Sequence, residues 1–238
     1  MLLTQAEEMP KGNDWIYETK YDGFRCLLEW VDEPALISRD GKNLNQQFPE
    51  IIDFLQGIKD KIRTYLPLQL DGELVFLTNN FKSEFSVIQL RGRMRSQNSI
   101  KKHAVEFPCH FVAFDVLQLK GEKMTNLELI KRKELLQEFG KGAELPTSIH
   151  YENQVRLQII DVFLNAEELW KKVKIHNGEG LISKKKKSNW MSGIRTTNWL
   201  KIKNWLYVTV ILTKFDKKNS YFNGAVYRDD ALAVSYTH

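Results

Sequence analysis

The sequence predicts an α+β fold with largely antiparallel sheets. Short apolar runs are separated by hairpin-type turns such as Asp22-Gly23 and Asp40-Gly41, and stretches of helical periodicity stand isolated between them. Neither a Rossmann glycine fingerprint nor a P-loop occurs, which argues against a doubly wound parallel sheet. Taken in order, residues 14–20 and 24–31 read as strands broken at Asp22-Gly23, and residues 34–38 as a strand leading into Arg39-Asp40-Gly41-Lys42. Residues 48–62 read as one amphipathic helix, with Pro49 in its first turn and Phe48, Ile51, Ile52, Leu55, Ile58 and Ile62 as its apolar stripe. A strand follows at 68–77, a helix at 83–91 and a long strand at 109–119.

Thr125 and Glu128 fit a capping box for a helix running to about Phe139. Residues 140–163 mix loop and short strand. Asn165 and Glu168 cap a further helix with Leu169, Trp170 and Val173 inward and Asn177-Gly178 at its end. Residues 179–185 and 198–213 are read as strands, with two more at 221–227 and 231–236.

Composition bounds the function. The 238 residues are 42% hydrophobic and 27% charged, the balance of a soluble globular chain. Apolar runs are too short for a membrane span, and residues 1–8 lack the pattern of a signal peptide. Cys26 and Cys109 are the two cysteines, too few for a disulfide framework or a zinc site, so a reducing cytoplasm is expected. The net charge of +5 is clustered at Arg91, Arg93 and Arg95, at Lys101 and Lys102, at Lys184 to Lys187, and at Lys201 and Lys203. Clustered cations suit a polyanion such as nucleic acid, although a charge run by itself is also an ordinary solvated face.

Five segments carry chemistry. Lys20-Tyr21-Asp22-Gly23-Phe24-Arg25 sets an amine at a strand end among charges. Such a lysine can serve as a covalent nucleophile when burial or nearby cations lower its pKa from about 10.4; a solvated strand end is the plainer reading. Leu70-Asp71-Gly72-Glu73-Leu74-Val75 puts Asp71 and Glu73 on one sheet face, fit for Mg²⁺ or a ribose hydroxyl, or for solvent. In Phe111 to Leu117, Phe114 can stack on a purine or serve as a core aromatic, and Asp115 in so apolar a run needs a partner. Glu179-Gly180-Leu181-Ile182-Ser183-Lys184 suits metal or phosphate contact. Strict alternation splits Glu179 and Lys184 between faces unless Gly180 hosts a bulge. Trp199 to Lys203 puts Lys201 and Lys203 on one face, a seat for a phosphate or a guard on an edge strand.

Together these segments resemble the adenylation domain of ATP-dependent DNA ligases, most closely the ligase module of bacterial DNA ligase D, over roughly residues 10–204. Ser38-Arg39-Asp40-Gly41 matches the family's motif whose arginine touches DNA phosphate. The resemblance implies a covalent nucleotidyltransferase (ATP-grasp-like) fold of antiparallel sheets flanked by helices. It implies that Lys20 forms a lysyl-AMP, with Glu18, Thr19 and Phe114 at the adenine and Arg25 and Glu73 on the ribose side. Glu73 and Glu179 would hold Mg²⁺ (or Mn²⁺), Lys184, Lys201 and Lys203 would neutralise phosphate, and Arg39 would bind DNA. ATP is the implied cofactor, with nicked or broken double-stranded DNA and a DNA end-binding protein as partners of a monomeric, cytoplasmic bacterial enzyme.

The resemblance also sets a boundary, with residues 1–204 as the adenylation domain and 205–238 as the incomplete start of an OB-fold barrel. Weak ATP binding and slow adenylation are expected of so short an OB segment. An RNA ligase, an mRNA-capping guanylyltransferase and a nucleic-acid-binding module with an idle pocket are the alternatives. An NAD-dependent ligase would bring a cysteine zinc finger that the sequence lacks.

Overall fold

The computed structural model describes residues 1–207, 209–218, 221–228 and 231–237. Its elements run β1 (Leu2–Gln5), β2 (Trp15–Lys20), β3 (Phe24–Trp30), β4 (Pro34–Ser38), α1 (Pro49–Gly57), α2 (Lys59–Ile62) and, after a 3-10 turn at Arg63–Tyr65, β5 (Leu68–Val75). There follow β6 (Leu77–Asn79), β7 (Lys82–Ser83), α3 (Phe85–Arg93), α4 (Gln97–Glu106), β8 (His110–Leu119), β9 (Glu122–Lys123), α5 (Leu129–Gly142) and β10 (Leu157–Ile159). The chain continues through α6 (Ala166–Ile175), β11 (Gly180–Lys185), β12 (Arg195–Lys203), β13 (Ile211–Asp216), β14 (Tyr221–Arg228) and β15 (Ala231–Thr237). It divides into two compact units, Met1–Asn204 and Trp205–His238. The second unit is a three-stranded antiparallel sheet in the order β13-β14-β15.

The first unit is built on two sheets. One has the order β1-β12-β11-β2, the other β10-β8-β5-β3-β4 with β9 paired to β8. Alternation along the strands sorts side chains into three cores. Leu28, Leu70, Leu74 and Phe111 face the helices, where Ile51 and Leu55 of α1 and Leu136 and Phe139 of α5 meet them. Their neighbours Val75, Val112 and Phe114 turn the other way, toward Ile16 of β2 and Trp199 of β12 on the facing sheet. Tyr17, Leu181 and Ile202, each one residue out of step with that face, cover Leu169 and Val173 of α6. The order of layers is therefore helices, sheet, sheet, helix, and the space between the two sheets receives the functional segments.

Several expectations need correction. The helix over 48–62 is broken: α1 ends at Gly57 and Ile58 leaves helical geometry before α2 starts. Helix α4 has no counterpart in the sequence reading, although its Ser96 cap, which accepts from the Ser99 N–H, is a legible start signal. Thr125 is not the cap of α5, which begins at Leu129. Its first N–H groups are satisfied by main chain instead, Leu129 donating to the Ser188 carbonyl and Ile130 to that of Lys186. The strand expected over 198–213 is two strands, β12 and β13, on either side of the boundary between units. Two strand pairs, β1 with β12 and β10 with β8, are parallel, so the sheets are mixed. The Asn165 cap stands as read, its carboxamide oxygen accepting from Glu167 and Glu168 N–H.

Candidate active site: the cleft between the sheets

Strand β2 ends at Lys20, and the chain crosses from one sheet to the other at Asp22-Gly23 before entering β3. A side chain on Gly23 would strike the Leu74 carbonyl, so the crossing hugs β5. Beside it a cleft of about 510 Å³ opens between the sheets, lined by Lys20, Arg25, Arg39, Glu73, Ile182, Trp190, Arg195 and Lys201 among others. That size suits a nucleotide-scale ligand.

The Lys20 amine is bound to the Glu179 carboxylate, and both side chains are mostly covered (14% and 24% exposed). Glu179 precedes β11, so strand alternation does not fix its direction; φ of +153° at Gly180, opposite Lys20 in the ladder, sets it. No bulge interrupts β11, whose register with β2 and β12 is continuous from Gly180 to Lys184. Lys201 stands on β12, in the same sheet as Lys20 with β11 between them. Burial, then the charges of Lys203, Lys20 and Arg195, push its pKa down against the pull of Glu179. Glu73 faces Arg25 in the ladder, and burial, opposed by Lys20 and Arg25, raises its pKa to about 8. Arg39 lies exposed at the rim.

Arg25 is committed to a neighbour. Its Nε and Nη2 donate to the two oxygens of fully buried Asp71 at 3.0 and 2.6 Å, and the Trp190 indole donates to Asp71 Oδ2 at 3.0 Å. Asp115 has the partner its setting demanded: Arg132 of α5 grips both its oxygens at 2.8 and 2.9 Å, with neither side chain exposed.

Four predicted residues occupy different surroundings from those expected. Phe114 does not line the open cleft. The β5–β8 register shifts there, and its ring is covered by Lys184 Nζ at 4.5 Å, by the Arg25 guanidinium at 5.6 Å and by the edge of Trp199. Lys184 is four residues along the strand from the Lys20 position, about 13 Å away at 3.3 Å per residue. Buried against Trp199 and Phe114, it pairs with Glu18 at 2.6 Å, away from the Lys20–Glu179 pair. Burial lowers its pKa to about 8 despite that carboxylate. Glu18 is fully buried, and Lys133 and Lys184 together outweigh the burial cost and hold its carboxyl below the usual range. Thr19, one residue on, falls on the opposite face of β2 with Tyr17, away from the cleft. The cationic clusters thin out as well. Arg91 is buried on Glu50, and Lys184 is buried on Glu18.

Sequence reasoning missed Lys133, Arg132 and Trp190 as parts of this site. Lys133 is buried and donates to the Phe114 carbonyl as well as pairing with Glu18. A lysine and an arginine side by side on a helix with an exposed face carry no local signal of burial.

The model of the ATP-dependent DNA ligase domain matches residues 3–203. The chain belongs to that family. As a member of the ATP-dependent DNA ligase family, it is 37% identical over 224 residues to the bifunctional non-homologous end joining protein LigD of Bacillus subtilis. The match covers 94% of this chain and 37% of the relative. It is 27% identical over 204 residues to the multifunctional non-homologous end joining DNA repair protein LigD of Mycobacterium tuberculosis, covering 85% of this chain and 23% of the relative. The chain thus spans about a third or less of the length of these relatives. Among solved structures, a mycobacterial DNA ligase D complexed with ATP superimposes with a TM-score of 0.68 at 22% identity, over 97% of this chain and 68% of that one. A Lig E DNA ligase gives 0.60 at 16%, over 99% and 82%. These likenesses show that the chain shares the fold of DNA ligase D. No helix among the described residues is long and apolar enough to cross a membrane.

Proposed function

We propose that this domain performs ATP-dependent DNA ligation through a covalent lysyl-AMP on Lys20, in the repair of nicked or broken double-stranded DNA, as the LigD-type relatives suggest. The observation that carries the reading is the Lys20 amine, paired with Glu179, at a strand end inside a cleft also lined by Glu73, Arg25 and Lys201. The Lys20 nitrogen attacks the α-phosphorus of ATP. A P–N bond forms, the bond from the α-phosphorus to the bridging oxygen breaks, pyrophosphate leaves and the amine loses its proton. The adenylyl group then passes to a 5′-phosphate of DNA, and a 3′-hydroxyl attacks that activated phosphate and expels AMP. The catalytic contribution is positioning and charge complementarity. Lys201 and Lys203 neutralise the α-phosphate, and Arg39, at the rim, meets DNA phosphate.

The donor set fits Mg²⁺, which binds through one or two carboxylates and substrate phosphates; Glu73 and Glu179 are the two carboxylates. A bound Mg²⁺ supplies charge stabilisation to the departing pyrophosphate. To hold the ion, Glu179 would have to leave Lys20 and Glu73 would have to lose its proton. The base stacks on Phe114, and that requires Lys184 or Arg25 to leave the ring face each now covers.

Intact-mass spectrometry after incubation with ATP and Mg²⁺ tests the reading. The chain should gain one adenylyl group from ATP and none from GTP, and Lys20→Ala should gain nothing. An adduct that survives Lys20→Ala, or none on the wild-type chain, overturns it.

A further inference from the structure

The Asp22-Gly23 crossing leaves the peptide groups of Asp22 outside both sheet ladders, immediately after Lys20. Unpaired main chain at such a point either finds another partner or stays loose. Ser83 is that partner. Its hydroxyl accepts from the Asp22 N–H at 2.8 Å and donates to the Asp22 carbonyl at 2.9 Å, so one buried side chain serves both groups. The same hairpin, β6–β7, holds the turn a second time, because the Tyr21 hydroxyl donates to the Asn80 carbonyl at 2.5 Å.

The hairpin also reaches the other half of the Lys20–Glu179 pair. Asn79 Nδ2 donates to the His176 carbonyl at 3.3 Å. Gly178 lies against the Phe81 carbonyl, with a Cβ there coming within 2.5 Å of it. One short hairpin thereby fastens the segment bearing the amine and the segment bearing the carboxylate, 159 residues apart in the chain.

We propose that Ser83 is a positioning residue for Lys20, acting through both main-chain groups of Asp22, and that the β6–β7 hairpin sets the amine's distance from Glu179. The proposal deepens the function proposed above and rests on it. Ser83 touches no reacting atom. Its effect is on where the amine points, which belongs to the rate of the chemical step and not to nucleotide affinity.

The test uses the full chain with Ser83→Ala, Ser83→Thr and Asn79→Ala, the last at a less buried position. Ser83→Ala should lower the maximal rate of lysyl-AMP formation by at least about tenfold while KM for ATP stays nearly constant, and Ser83→Thr should restore the rate. Asn79→Ala should show the same split to a smaller degree. A second readout needs no nucleotide: the rate at which sulfo-N-hydroxysuccinimide acetate modifies Lys20, followed by peptide mass spectrometry. Ser83→Ala should raise it while the exposed Lys101 reacts as before. Wild-type adenylation and wild-type Lys20 labelling in Ser83→Ala would overturn the proposal, as would equal losses in rate and affinity that Thr does not rescue. If the wild-type chain forms no adduct, the ligase reading falls and the labelling arm alone decides the role of Ser83.

Discussion

Glu73 shows how one residue can combine a proposed binding role with a stability cost. Its pKa of about 8 in the fold compares with an ordinary value of 4.5. Between those values the folded protein keeps a proton that the unfolded chain has lost, so the contribution of this group to stability falls as pH rises through that window. Glu73→Gln should therefore raise Tm more at about pH 8.5 than at about pH 5 in metal-free buffer, measured by calorimetry. An equal shift at both would mean the carboxyl is not desolvated. At this scale the sequence was informative about identity and less so about surroundings. Lys20, Glu73, Glu179 and Lys201 could be named from local pattern and Arg39 from the family resemblance; Lys20, Glu73, Lys201 and Arg39 line one cleft, and Glu179 pairs there with Lys20. Lys184 could be named too, but its burial on Glu18 and Phe114 depends on the packing of α5 against β8, which brings Lys133 in, and no local pattern reports that.

Elements were legible where periodicity and capping agreed. Strands β2 to β5, β8 and α6 fall close to their expected places because alternation, turn residues and the Asn165 cap all point one way. The start of α5 was misread because its first N–H groups are met by the carbonyls of Lys186 and Ser188, a long-range partner that a capping-box pattern does not foresee. Gly180 shows an element constrained from both sides. Its φ of +153° is open to glycine, and a Cβ would collide with the Ile202 carbonyl on β12. Gly180→Ala should cost about 2 kcal/mol or more in urea unfolding, a clash and a strained backbone combined. It should also slow adenylation, since it tilts Glu179. A variant with native stability would show that β12 yields at that point.

At the scale of the whole molecule, the two units differ in what they bring. Residues 1–204 contain the three buried cores found among the described residues and the whole inter-sheet cleft. They also carry the family match. A chain ending at Asn204 should fold alone, with cooperative thermal unfolding near the Tm of the full chain; a broad, non-cooperative melt would tie its stability to the strands beyond. The α+β class with largely antiparallel sheets followed from alternation and turn residues, but strand β1 and its place beside β12 did not, because parallel partners distant in sequence leave no turn between them to read.

The cation lying on Phe114 has one further consequence. A purine arriving at that ring, as proposed, would not meet an empty surface; it would replace a π contact that Lys184 or Arg25 already makes. On the proposed reading, binding there is an exchange in which either the Arg25 guanidinium or the Lys184 ammonium settles elsewhere, the latter with Glu18 still gripping it. Nucleotide occupancy would then be felt at α5 through Lys133, so the helical layer registers the loaded state without touching the base.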